Sequence, residues 1–310
     1  MGETQVSTLL AKSTYASPRS HRLALAIGGV SFGLWCDSSM ILDHEHDPFI
    51  LPASKHPVCD IEMEISWCEQ LQLPDLAPAF VSGGLWHAYA SSVGTKFYFT
   101  SPTLGPSPYK AAWFDPAFQR GHVVLNRSLL SNGQQILPLE YPLDELVMMH
   151  RLALGEGVEV HALGLADRDG SGYLFIGHSG AGKSTTARLW MAESGVTLLS
   201  DDRIILRKHD HRFWMYGTPW HGDAGIASAC RAPLSAVFLL EQALNDQVAA
   251  VPPLKAAAEL FARAFLPHYL KGGIQFTLGF LDQLTRSVPC SILRFTPTPS
   301  AVEAVRYARV

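Results

Sequence analysis

The stretch Tyr173-Leu174-Phe175-Ile176-Gly177-His178-Ser179-Gly180-Ala181-Gly182-Lys183-Ser184-Thr185-Thr186-Ala187 decides how this chain is read. The apolar residues Tyr173–Ile176 predict a buried strand, and the run Thr185–Met191 predicts a helix. Between them, Gly177 to Ser184 follows the pattern G-x-x-x-x-G-K-[ST] in full. In that context successive backbone N–H groups and a helix amino terminus point at one polyphosphate. Gly177, Gly180 and Gly182 let the backbone curl close to the anion, and His178, Ser179 and Ala181 complete the cradle. Lys183 is the expected partner of the β and γ phosphates. The Ser184 hydroxyl is an expected Mg²⁺ ligand, with Thr185 at the head of the helix belonging to the same site. The cofactors expected are ATP and Mg²⁺.

Working outward, Val196–Ser200 predicts another strand, ending at Asp201-Asp202, 18 positions past Lys183 (201 − 183). In a parallel sheet the carboxyl end of that strand lies beside the phosphate loop. One carboxylate there can accept the proton of an attacking hydroxyl, and the other can bind the metal. Upstream, Val158–Leu165 reads as one strand carrying His161; a lone histidine in an apolar run is more often a hydrogen-bonded core residue. Ile204–Lys208 and Phe213–Tyr216 predict a hairpin across His209–His211, and Leu234–Leu240 a buried strand. The tail predicts helices near Leu254–Phe265 and Ala301–Arg309, with one strand at Ser291–Phe295. Arg231 offers a guanidinium fork to clamp a transferring phosphate; a solvated surface arginine fits the same residue.

Val160-His161-Ala162-Leu163-Gly164-Leu165, Gly177–Ser184 and Leu198-Leu199-Ser200-Asp201-Asp202, in that order and spacing, resemble the catalytic domain of the HPr serine kinase/phosphorylase family. The resemblance covers Val158 to Lys208 firmly and extends to the phosphate-loop core shared with ATP-dependent phosphoenolpyruvate carboxykinase. It implies an α/β kinase fold, with His161 near the γ phosphate and Lys183 and Ser184 holding phosphate and Mg²⁺. Asp201 would be the base that activates a substrate hydroxyl, and Asp202 would support the geometry and the metal. Asp223, in the Gly217–Gly225 loop, would be the second metal ligand. Thr185 stands where the bacterial kinase usually has Glu, and the downstream Gly-Arg-Asn signature is missing. The chain therefore looks more like divergent HPr-kinase-related proteins, some of which modify peptides. The implied reaction is transfer of the nucleotide γ phosphate to a serine of a protein or peptide. A metabolite hydroxyl as acceptor and a non-catalytic ATP-binding regulatory module are the alternatives, and a homo-oligomer stays open.

The first half reads differently. Ile61, Met63, Ile65 and Trp67 alternate with Asp60, Glu62, Glu64 and Ser66, which predicts a strand half-buried on one face. Leu23–Ile27 and Ser31–Trp35 predict a hairpin across Gly28-Gly29. Lys96–Thr100, Lys110–Phe114 and His122–Leu125 supply more short strands, and the aromatic residues Trp86, Tyr89, Phe97, Tyr98 and Phe99 read as sheet core. Leu143, Leu146, Val147, His150 and Leu154 recur at helical spacing. The division expected is a mostly β domain over 1–155 and a kinase domain over 156–310.

Composition sets the bounds. Of 310 residues, 47% are hydrophobic and 17% charged, enough apolar surface for a folded chain. A formal net charge of −4 supplies no basic face for nucleic acid or an anionic membrane, and neither is expected as a partner. The longest apolar stretch, Leu23–Trp35, is interrupted by glycines and falls short of the roughly 20 residues a bilayer crossing needs. Met1–Leu10 has no basic cluster leading into an apolar core, and Val6 stands where myristoylation wants Ser or Thr. Cys36, Cys59, Cys68, Cys230 and Cys290, odd in number and scattered, fit reduced packing thiols, and the expected compartment is the cytoplasm. Asp43-His44-Glu45-His46-Asp47 reads as a solvated loop rather than a metal site.

Overall fold

Tyr173 and Phe175 point to one side of their strand and Leu174 and Ile176 to the other, and all four are fully or almost fully buried. Two separate apolar cores, one on each face, account for this. A strand without a polar face belongs in the middle of a layered α/β structure. The computed structural model describes residues 21–36, 44–52, 58–130 and 138–308. The readings made on Met1–Leu10 and on Asp43 lie outside these residues.

The chain divides into two compact units, one of Met1–Leu25, Val30–His44 and Ile50–Asp144, the other of Ala26–Gly29, Glu45–Phe49 and Glu145–Val310. The first carries an eight-stranded sheet of β1 (His21–Ile27), β2 (Val30–Cys36), β3 (Ile61–Cys68), β4 (Phe80–Ser82), β5 (Trp86–Ser91), β6 (Gly94–Ser101), β7 (Gly105–Phe114) and β8 (Arg120–Asn126), followed by the short helix α1 (Arg127–Leu130). Its strand order is β1-β2-β3-β8-β7-β6-β5-β4. Ile61, Met63 and Ile65 on β3 are buried while Glu62 and Glu64 between them are not, as the alternation predicts. Phe97, Tyr98 and Phe99 are buried in the sheet. Trp86 and Phe99 also border a cavity of about 720 Å³ with Tyr109, Leu125 and Glu140.

The second unit opens with α2 (Leu143–Leu152), whose body packs there. Glu145 pairs with Arg203, and His150 meets the Tyr269 hydroxyl, which ties this helix to the carboxyl half. Then follow β9 (Val158–His161), β10 (Leu163–Ala166), β11 (Gly172–Ile176), α3 (Lys183–Met191), β12 (Thr197–Ser200), β13 (Arg203–His209), β14 (Arg212–Tyr216), β15 (Arg231–Gln242), β16 (Gln247–Ala250), α4 (Pro253–Phe261), β17 (Ala264–Phe265), α5 (Lys271–Ser287), β18 (Cys290–Phe295) and α6 (Ser300–Tyr307). The ten-stranded sheet runs β12-β10-β11-β15-β14-β13-β9-β17, with β18 pairing β15 and β16. Leu260 of α4 and Phe280, Leu281 and Leu284 of α5 fill the core on one face. Trp190 of α3 and Val302 and Val305 of α6 fill the other. The result is a mixed α/β unit with a large sheet between helices.

Three expectations are corrected. The sheet is mixed rather than parallel: β10 runs antiparallel to both β11 and β12. Those two strands therefore share a direction, and their carboxyl ends still lie on the same side of the sheet. Val158–Leu165 is two strands, because the Ala162 N–H leaves the ladder to donate to Asp202 O. β9 then pairs with β13 and β17, while β10 pairs with β11 and β12. Finally, the helix expected over Leu254–Phe265 stops at Phe261, and the strand β16 and the 17-residue helix α5 were not anticipated.

Candidate functional site

The Gly177–Ser184 loop joins β11 to α3 and closes on itself. Ala181 N–H donates to His178 O at 3.1 Å, Thr186 N–H to Gly182 O at 2.8 Å, and Lys183 Nζ to Gly177 O at 3.2 Å. From outside, Gln242 Nε2 at the end of β15 donates to Gly180 O at 2.8 Å. Gly182 is the N-cap of α3 at φ +107°, and a Cβ there would stand 2.6 Å from Phe295 Cζ. No side chain caps the helix, which leaves its first N–H groups for water or a ligand. His178 and Ser179 are exposed, Ser184 is exposed at the first turn, and the Thr185 hydroxyl accepts from Arg188 Nη2 at 3.4 Å.

β12 ends in the paired acids, and these face different neighbours, as consecutive residues must. Asp201 is 5% exposed and points into the Gly217–Ile226 loop. Its Oδ1 accepts from Gly222 N–H (3.0 Å) and Ile226 N–H (3.4 Å), and its Oδ2 from Ala224 N–H (2.9 Å). Asp202 is half-buried, with Oδ1 3.3 Å from His161 Nε2 and Oδ2 bonded to Arg203 Nη1. The structure thus gathers His161, Lys183 and Asp202, and turns Asp201 away into the protein.

The electrostatics bear the mark of that gathering. Burial first, then the Lys183 charge, hold His161 below its ordinary pKa against the opposing pull of Asp202, so the ring is neutral at pH 7. Lys183 is lowered by burial, with Asp202 working to keep it charged and Arg263 adding to the fall. Arg203 loses solvation, yet Glu145, Asp202 and Glu159 outweigh that loss and raise its pKa. Its Nε lies 2.6 Å from Glu145 Oε1 and 3.6 Å from Glu159 Oε1, and its guanidinium lies 4.0 Å over the Phe265 ring.

Arg203 and Arg263 are the residues sequence reasoning missed. Arg263 sits between α4 and β17; the pairing of β17 with β9 brings it beside His161, whose N–H donates to Arg263 O at 2.8 Å. Its Nη1 holds Glu259 at 2.7 Å, while its Nε is buried without a hydrogen bond among the described residues. A basic residue just after a helix that then turns into a two-residue strand leaves no local signal; only the sheet register places it.

Two expected residues are elsewhere. Arg231 starts β15, whose Leu239 lies opposite Ile176 at the root of the loop. They are eight positions apart along the strand (239 − 231), roughly 26 Å, so Arg231 is at the far end of the sheet. There it stacks 4.8 Å over Trp214 and bonds the Tyr216 hydroxyl, which is why it is no phosphate clamp in this fold. Asp223 is exposed at the tip of the Gly217–Ile226 loop. Among the described residues no three His, Cys, Asp or Glu side chains converge as a metal-holding group. Glu45 of the His44–Asp47 run pairs with His221 of the same loop, Oε1 to Nε2 at 2.8 Å. Cys36, Cys59 and Cys290 are buried, and no helix among the described residues is long and apolar enough to cross a membrane.

A family model described as SynChlorMet cassette protein ScmC matches residues 134–270, a span that takes in every member of this cluster from His161 to Arg263. No curated protein matches the chain. Among solved structures, the HPr(Ser) kinase/phosphatase from Coxiella burnetii is similar at 13% identity, over 49% of this chain and 90% of that one, with a TM-score of 0.27. At that score the likeness carries no argument about function.

Proposed function

We propose that the second unit is a phosphate-loop phosphotransferase: it binds ATP with Mg²⁺ and passes the γ phosphate to a hydroxyl, most simply a serine of a protein or peptide. The observation that carries this reading is the uncapped amino end of α3 with Lys183, His161 and Asp202 around it. Free helix N–H groups and one lysine neutralise a polyphosphate. Arg263 adds a second cation at the same place, and neutral His161 is a hydrogen-bonding group beside the transferring phosphate. The residues fit a metal carried in by the nucleotide: the Ser184 hydroxyl is one exposed oxygen donor, and Mg²⁺ keeps most of its ligands as water and phosphate. When bound, that ion would neutralise charge on the β and γ oxygens. An aspartate at the end of β12 takes the acceptor's proton, and positioning rather than covalent chemistry supplies the acceleration.

The test is incubation of the protein with γ-labelled ATP and Mg²⁺ in a lysate of its own organism, beside Lys183→Ala. Loss of one charge-assisted phosphate contact should weaken ATP binding about 10- to 100-fold and remove transfer. Label on a discrete protein or peptide, absent with the variant, supports the reading. Label confined to small molecules makes the acceptor a metabolite, ATP bound without transfer makes the unit regulatory, and no ATP binding at all overturns the proposal.

A further inference from the structure

We infer that the paired acids divide the work: Asp201 is a positioning residue that fastens the Gly217–Ile226 loop, and Asp202 is the acid that takes the acceptor's proton. This rests on the phosphotransfer reading for its second half only. The first half stands on geometry alone. Both oxygens of Asp201 are engaged by three backbone N–H groups spaced two residues apart in one loop. A buried carboxylate in such a ring of donors gives these loop N–H groups their partner, and three of its roughly four acceptor sites are taken up by the loop. The fit is close: a Cβ on Gly222 would stand 2.9 Å from Asp201 Oδ2 and 3.4 Å from Asp202 Cβ, so a side chain there would have to displace the carboxylate.

The loop is stitched along its length to the end of β12. Ser200 Oγ donates to Trp220 O at 3.1 Å, Thr218 Oγ1 to Arg203 O at 2.7 Å, and Ser200 and Ala227 form a β-bridge. His221 adds Glu45 and the Gly222 carbonyl as partners. Gly222 therefore lies against both acids, and the loop packs beside Asp202. Asp202 is held differently, by side chains: Arg203, itself set by Glu145 and Glu159, and His161. It is the member of the pair that shares its surroundings with Lys183. In the step, the acceptor O–H proton passes to Asp202 as the acceptor oxygen bonds the γ phosphorus. The bond from that phosphorus to the β–γ bridging oxygen breaks, and the nucleoside diphosphate leaves.

The experiment compares Asp201→Asn, Asp202→Asn and Gly222→Ala in two measurements on the full chain. Amide hydrogen exchange reads the loop, and ATP hydrolysis with water as acceptor, resolved into KM and kcat, reads the chemistry. Asn at 201 sets an amide N–H₂ against a backbone N–H, so exchange at Gly222, Ala224 and Ile226 should rise about tenfold or more. Gly222→Ala, which leaves both acids in place, should loosen the same amides, so the anchoring is tested even if Asp201→Asn fails to fold. Asp202→Asn should leave those amides protected, keep ATP binding and lower kcat for hydrolysis about 100-fold or more. Asp201→Asn should keep more of that kcat than Asp202→Asn does. Unchanged loop exchange in Asp201→Asn, with hydrolysis abolished, would overturn the division. A wild-type protein that neither binds nor hydrolyses ATP would remove the Asp202 role together with the phosphotransfer reading, while loop exchange alone still decides the anchoring.

Discussion

Gly182 shows what one residue must do for the loop to exist. Its left-handed φ of +107° turns the chain into α3, and Phe295 occupies the space a side chain would need. Gly182→Ala should therefore cost about 1–3 kcal/mol of stability, measured by urea unfolding, and should weaken ATP binding by misdirecting the first helical N–H groups. At this scale the sequence was legible where chemistry is written in a contiguous run: Gly177 to Ser184 needs no partner from elsewhere to be recognised. It was half legible at Asp201-Asp202, where the pair is plain but which acid turns outward depends on how β12 sits. It was illegible at Arg203 and Arg263, because a cation's role is set by which carboxylates and rings the sheet register brings to it.

Among the elements, α5 carries the clearest lesson. Its buried positions are Gly273, Thr277, Phe280, Leu281, Leu284 and Thr285, a helical spacing in which half the members are small or polar. Hydrophobic periodicity is muted there, and Gly272, Gly273 and Gly279 argue against a helix by propensity. Tertiary packing overrides both, since this face closes the core beneath β13, β14 and β15. Leu284→Ala should accordingly destabilise the second unit by about 2–5 kcal/mol in denaturant unfolding, while an exposed site on the same helix, Leu278→Ala, should change it little. The break between β9 and β10 was hidden for a related reason: Val160, Ala162, Leu163 and Leu165 are all buried, and with no glycine or proline between Val158 and Leu163 the run does not announce where it changes partners. The hairpin of β13 and β14, by contrast, is marked by its polar tip at Asp210-His211, both with positive φ.

The stability of the whole molecule should carry the signature of one buried histidine. His150 is fully buried, with Nδ1 2.6 Å from Leu146 O and Nε2 against the Tyr269 hydroxyl, an arrangement that uses the neutral ring as donor and acceptor once each. Burial pushes its pKa down to about 4, with the Leu146 carbonyl pulling weakly the other way. The unfolded chain takes up this proton near 6.5 and the folded one resists it, so stability present above pH 6.5 is lost as pH falls towards 4. The loss from this residue should reach about 3 kcal/mol by pH 4. Urea midpoints measured from pH 7 to 4 should fall less steeply for His150→Gln than for the wild type.

The placement of β18 has a consequence for how the protein is made. β15 takes β11 along one edge and β18 along the other, and β18 pairs with Val237–Gln242 from a position 53 residues further on (290 − 237). During synthesis, everything up to the end of α5 emerges before the last partner of β15 exists. A nascent chain therefore shows an apolar, unpaired strand edge for seconds, at the usual rate of elongation. Such an edge is a template for pairing with other chains, which makes this interval the one in which chaperone cover matters most.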